Sequence, residues 1–228
     1  MTDGPGRGGL SVLHVVALVG SGGEFGGPVS VAEAQSRELV ARGHRVVVTG
    51  LRRGQVRIPS GLTADQWRTF PARRVVPRSG MLGLTSAGFL RFVWHVARDV
   101  DIVHVHAGRD LVTLSTLLIA WWRKAAVVAQ THGMVAPRRH LRARLFDPIF
   151  LRLLRRAATV LYMTDSEHVD LRGQLGPSAH LRFLGNGLEL PPPRTTPPPG
   201  EMPQVLFLAR LHPVKGVTAF AEMAALLT

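Results

Sequence analysis

Short apolar runs rich in Val, Leu and Ile recur along this chain, and stretches of helical composition separate them. Strands are expected over 11–19, 45–49, 101–106, 126–131, 158–163, 181–184 and 204–209. Helices are expected over 28–42, 86–98, 110–122, 138–156, 165–174 and 215–227. Residues 52–80 are loop-rich, with room for one or two short strands. This alternation limits the fold more than any other feature. Two parallel strands need a crossover between them, usually a helix, and the helices then cover both faces of the sheet. The expectation is an α/β protein with a doubly wound parallel sheet. Ligands of such sheets bind in the crevice beyond the carboxyl ends of the strands. The residues that follow each strand are therefore the candidates for function.

Composition narrows the classes. Hydrophobic residues make up 46% of the 228, enough for a sizeable core. There is no Cys, so disulfides, thiolate metal sites and cysteine nucleophiles are excluded, and a reducing, cytoplasmic setting fits. The net charge of +13 comes almost wholly from Arg and implies an anionic partner or an Arg-rich genome. "LSVLHVVALVG" has the look of a signal-peptide core. It contains His14 and lacks a small-x-small cleavage pattern, so it reads as a buried first strand. "LVTLSTLLIAWW" is too short to cross a bilayer.

Strand one is followed by "GSGGEFGGP". Glycine lets backbone N–H groups approach a ligand, and the helix that follows points its positive end at the same place, which suits phosphate. The 101–106 strand ends in "HVH", with His104 and His106 on one face; no carboxylate or third His at useful spacing supports a metal pair. The 126–131 strand ends in "THG", which sets His132 and Gly133 at the carboxyl edge. "LGNGLELPPPRTTPPPGEMP" is Pro-rich and marks a boundary. The domains are then 10–188, a linker over 189–203, and 204–228. After the linker, "QVLFLARLHPVKG" puts Arg210 at a strand end and Lys215 at a helix start, two cations that suit a diphosphate.

In order and spacing these segments resemble the N-terminal half of a GT-B type, retaining glycosyltransferase of family four. "GGPVSVAEAQSRELVARGHRVVVTG" resembles the family's first unit of Gly-Gly, helix, Gly-His turn and strand. "DIVHVHAG", "AVVAQTHGMVAP", "VLYMTDSEHVDLRGQLG", "RFLGNGLEL" and "VLFLARLHPVKGV" resemble its later segments over roughly residues 11–220. The resemblance implies a Rossmann-like N-terminal acceptor domain and the start of a C-terminal donor domain. It implies transfer of a sugar from a nucleotide-diphosphate donor to a sugar or lipid-linked acceptor, with retention and without a metal ion or other cofactor. It implies that Gly26 and Gly27 approach the donor diphosphate and that His132 is the catalytic residue near the reacting sugar. Arg210 and Lys215 would meet the charge on the leaving diphosphate, and His106, Gly133, Ser166 and Asn186 would line the cleft. Gly185 and Ala209 depart from the family's Pro and Gly. The family's Glu-x7-Glu segment has no counterpart in 204–228. The expectation is a truncated donor domain: a fragment, a truncated gene product, or a chain completed by a second polypeptide.

Other readings remain. "GSGGEFG" with Arg52 and Arg53 after strand two suits an NADP-binding oxidoreductase, although Tyr162 is followed four positions on by Ser166, not Lys. The "DVD" at 99–101 precedes a strand, where a metal-dependent GT-A transferase would have it at a strand's end. No stacking aromatics interleave the arginines, so nucleic acid is not assigned as a partner. "RRHLRARLFDPIFLRLLRRA" at 138–157 carries seven Arg and one acidic residue, with Leu141, Leu145, Ile149 and Leu153 in one stripe. It suits either a packed helix with a basic outer face or peripheral docking on the anionic inner face of a membrane.

Overall fold

The computed structural model describes residues 8–20, 26–77, 80–138, 141–187, 205–209, 211 and 215–226. The chain divides into two units, Met1–Leu188 and Glu189–Thr228. The first holds strands β1 (Ser11–Gly20), β2 (Arg45–Arg53), β3 (Trp67–Pro71), β4 (Arg73–Arg74), β5 (Leu84–Thr85), β6 (Ile102–His106), β7 (Ala126–Gln130), β8 (Thr159–Tyr162) and β9 (Leu181–Phe183). Its helices are α1 (Gly26–Ala41), α2 (Ala87–Val96), α3 (Leu111–Arg123), α4 (Leu141–Arg155) and α5 (Asp165–Leu175). Seven strands form one sheet in the order β3-β2-β1-β6-β7-β8-β9, and every neighbouring pair is parallel. The small β4–β5 pair is antiparallel.

Alternation along each strand builds two cores. Leu13 and Val15 of β1 and Val103 and Val105 of β6 join Phe89, Val93, Leu117, Phe150 and Leu154 on one face. Val16 and Val19 of β1 and Val48 of β2 join Val29 and Ala32 of α1 on the other. α1 packs on β1 and β2, whereas α3 packs on β1, β6 and β7. The sheet is thus doubly wound. Its strand order reverses between β1 and β6, and that topological switch point is where such sheets open a ligand crevice. The Gly-His turn before β2 ends α1: Gly43 takes φ +83°, and the N–H groups of Gly43 and His44 bond Val40 O and Leu39 O.

Two expectations are corrected. The 204–209 run is not a strand in residues 205–209, because a strand needs a partner's N–H and C=O groups and no described residue pairs with it. In the 138–157 segment the inward face is turned by about one residue. Phe150, Leu153 and Leu154 are buried, while Leu145 and Ile149 are 76% and 57% exposed. The side chain of Leu141 lies outside the described residues. The second unit contributes α6 (Val217–Leu226), with Phe220 against Phe207 at 5.1 Å between ring centroids. No helix among the described residues is long and apolar enough to cross a membrane.

Candidate active site at the carboxyl edge of the sheet

β7 runs out into a tight turn. His132 takes φ +49°, a left-handed backbone that costs a non-glycine residue energy, and Gly133 follows at φ +71°. One side chain holds this turn from both sides. The Glu167 carboxylate accepts from Thr131 Oγ1 and from the Gly133 N–H, and its other oxygen accepts from the Met163 N–H at 2.8 Å. Glu167 is itself fixed at the start of α5, where Thr164 Oγ1 caps its N–H. The segment Thr164-x-x-Glu167 has the spacing of a capping box. That motif was the available signal for Glu167, which sequence reasoning missed. In this fold Thr164 makes its half of the box, and the Glu side chain leaves it for the neighbouring turn. The helix is capped by Thr164; Ser166 is exposed and lies 3.1 Å from the Thr164 hydroxyl.

His132 is the outer end of a histidine cluster. Its Nε2 faces His106 Nδ1 at 2.8 Å, and His106 Nε2 faces His14 Nδ1 at 3.1 Å. His104 stacks on the same group, with ring centroids 4.5 Å from His14 and 4.9 Å from His106. The third histidine that the sequence reading did not find is His14. Parallel register pairs His14 with His104 across β1 and β6, so all three point to the α1 side of the sheet. Ligand atoms of His14, His104 and His106 lie within 4.8 Å of one another, and two of these nitrogens already face each other in a hydrogen bond.

Burial is the main cause of the cluster's electrostatics. It holds His14 and His106 well below the usual imidazole range, with neighbouring histidines adding to the effect. His104 is lowered to about 4 by burial, with the neighbouring His132 adding to the effect and the Gln130 side chain opposing it. Burial also lowers His132 to about 4, against the attraction of Glu167. All four imidazoles are therefore neutral near neutral pH, able to donate or accept hydrogen bonds but not to supply positive charge.

The helix that follows β1 reaches the same edge. α1 begins at Gly26, and Gln35 on its second turn and a half donates to the Gln130 side chain at the end of β7 at 3.0 Å. A side chain at Gly27 would meet nothing within 4 Å among the described residues. On the far side of the turn, Arg109 is buried and clamps three elements. It bonds both carboxylate oxygens of Asp147 (2.7 and 3.2 Å), Met134 O and Gln174 Oε1. Gln174 also bonds Val135 O. The turn is therefore fixed by α4 and α5 together. A groove of about 540 Å³ opens at the ends of β2 and β3, lined by Arg52, Arg53, Arg74, Gln55 and Pro71 among others. Asn186 is exposed beyond β9, and Lys215 is exposed in the second unit. Arg210 and the 189–203 linker lie outside the described residues.

The family model described as Glycosyltransferase Family 4 matches residues 25–190. The chain belongs to that family. No curated protein matches the sequence. Among solved structures, the Family 4 chain is similar to Anabaena Alr3699/HepE in complex with UDP, with a TM-score of 0.52 and 12% identity over 79% of this chain and 45% of that one. It is similar to sucrose-phosphate synthase from Thermosynechococcus elongatus, with a TM-score of 0.51 and 14% identity over 77% and 48%. It is also similar to UDP-GlcNAc 2-epimerase from Methanocaldococcus jannaschii, with a TM-score of 0.50 and 14% identity over 78% and 46%. These likenesses establish the fold: a Rossmann-like domain of the GT-B kind. The chain spans less than half the length of these structures.

Proposed function

We propose that this Family 4 chain supplies the acceptor domain of a retaining glycosyltransferase that uses a nucleotide-diphosphate sugar. The observation that carries this reading is the His106–His132 pair at the carboxyl ends of β6 and β7, beside the switch point of the sheet between β1 and β6. The N-terminus of α1 at Gly26 and Gly27 suits the diphosphate, through the first-turn N–H groups that a helix does not bond internally and through the helix dipole. His132, neutral and rigidly held, suits a hydrogen bond to the reacting sugar. In the reaction the bond from the anomeric carbon to the diphosphate oxygen breaks, and its electron pair goes to that oxygen. The acceptor oxygen bonds the same face of the carbon, and its proton passes to the departing diphosphate oxygen, which has just gained that electron pair. Arg210 and Lys215 have the chemistry to meet the charge that grows on the diphosphate. Gly133, Ser166 and Asn186 complete the cleft lining in this reading. The guanidinium groups of Arg52, Arg53 and Arg74 suit an acceptor that carries a phosphate or other anion. A UDP-class donor is favoured by the fold's likeness to a UDP-bound protein.

Calorimetric titration of the chain with UDP-, GDP- and ADP-sugars tests the reading. One of them should bind with a dissociation constant weaker than about 1 μM, or about −8 kcal/mol. One helix end and one imidazole do not supply more. His132→Ala should weaken that binding further. Absence of binding by all three at millimolar concentration would refute the proposal.

A second reading concerns where the acceptor is met. Leu145 and Ile149 stand exposed one turn apart on α4, and Arg152 is exposed on the same helix. Arg156 lies 5.2 Å over the ring of the exposed Trp121. We infer peripheral contact with an anionic membrane, to which each Arg near the surface adds about 1 kcal/mol. Arg155 is excluded from this role because its guanidinium donates to Leu175 O and Gln174 O. Co-sedimentation with phosphatidylglycerol vesicles should fall with added salt. It should also fall in the Leu145→Ser, Ile149→Ser, Arg152→Glu variant. Equal sedimentation of variant and wild type would overturn this inference.

A further inference from the structure

His14, His106 and His132 form a chain of imidazoles that starts in the core and ends at the sheet edge. Nδ1 of His14 faces Nε2 of His106, and Nδ1 of His106 faces Nε2 of His132. His106 therefore uses both ring nitrogens. A neutral imidazole carries one N–H and one bare nitrogen. Burial keeps all three rings neutral near neutral pH. The protons of such a chain can be arranged in two ways only. Either every N–H is on Nδ1 and each ring donates outward, or every N–H is on Nε2 and each ring donates inward.

The buried end decides between them. Nε2 of His14 is buried and has no hydrogen-bond partner among the described residues. In the inward arrangement it carries the N–H, which leaves an orphaned donor in the core. In the outward arrangement it is a bare nitrogen, and every N–H of His14 and His106 has an acceptor. Unmet buried N–H groups are rarer than unmet acceptors and cost the full desolvation of the group. At the other end, the half-buried His132 carries its N–H on Nδ1, where water or a ligand can accept it.

We propose that His106, backed by His14, is a positioning residue that locks His132 as its Nδ1–H tautomer, so that His132 presents a hydrogen-bond donor and not a basic nitrogen at the sheet edge. The group it fits is an oxygen acceptor, a sugar hydroxyl or a phosphate oxygen; the identity of that group rests on the glycosyltransferase reading, whereas the tautomer does not. In this arrangement His132 does not take the acceptor's proton, because its one bare nitrogen is spent on His106.

Long-range proton–nitrogen correlation spectra of the uniformly nitrogen-15-labelled chain near neutral pH distinguish the two tautomers of each histidine. His132 should be the Nδ1–H form by at least about tenfold, which corresponds to about 1.4 kcal/mol. A free histidine side chain favours the opposite form, so the wild-type spectrum is already diagnostic. His106→Leu removes the donor and should release His132 to a mixture rich in Nε2–H. His14→Asn keeps a side-chain N–H facing His106 and should leave His132 unchanged. A wild-type His132 in the Nε2–H form overturns the proposal even if no variant folds. A folded His106→Leu with His132 still locked overturns it as well. If no nucleotide sugar binds at this edge, the glycosyltransferase reading fails while the tautomer result stands.

Discussion

Acid should destabilise this protein through its buried histidines. His104 is the case to work through, because it is buried on the sheet face and lies outside the His132–His106–His14 chain. Its folded form takes a proton only near pH 4, against the usual 6.5. Because the folded value is lowered, the unfolded chain binds the extra proton throughout the interval between the two. The stability it contributes is full above about pH 6.5 and is lost as pH falls toward about 4. Linkage over that interval gives a loss of about 2 kcal/mol by about pH 5 from His104 alone. His14 and His106 are shifted in the same direction and add to it. Guanidinium unfolding followed by far-ultraviolet circular dichroism at pH 7 and pH 5 gives the two stabilities by linear extrapolation. Wild type should lose about 2 kcal/mol or more, and His104→Leu should lose about 2 kcal/mol less than wild type does. An equal loss in both proteins would refute the account of His104 as a group kept neutral by burial.

Two further outcomes follow from the supports of the His132 turn. Glu167→Gln puts an amide N–H against a backbone N–H that now has a carboxylate acceptor, and should cost about 1.5–3 kcal/mol in denaturant unfolding. A change under about 0.5 kcal/mol would mean that the carboxylate does not hold the turn. Arg109→Met leaves the Asp147 carboxylate without its cation in a place where the Arg side chain is 4% exposed, and should cost about 3–5 kcal/mol. Equal thermal stability of variant and wild type would show that this ion pair is not what ties α4 to the site.

Periodicity carried most of the fold because a parallel sheet forces strand and helix to alternate. His106 and His132 were legible as strand-end residues for the same reason. His14 was not, because its partners are set by the parallel register of β1 on β6, a long-range pairing that local pattern does not encode. The α4 stripe was misplaced since Leu145, Ile149, Phe150 and Leu153 are all apolar, and neighbours in the fold decide which of them faces inward. Glu167 was overlooked although its capping spacing is visible, because its carboxylate serves a turn 34 residues earlier rather than its own helix. The Leu206 and Leu208 run looked like a strand from composition, but composition does not supply a hydrogen-bonding neighbour.

The central claim is that the sheet edge carrying Gly27, His132 and Gly133 receives the nucleotide sugar. Backbone amide and histidine-ring spectra of the labelled chain, titrated with UDP-glucose to millimolar concentration, test it most directly. The account predicts saturable shifts at Gly27, His132 and Gly133, and their loss in His132→Ala. Saturable shifts confined to the groove of Arg52, Arg53 and Arg74, or no saturable shift at all, would contradict it.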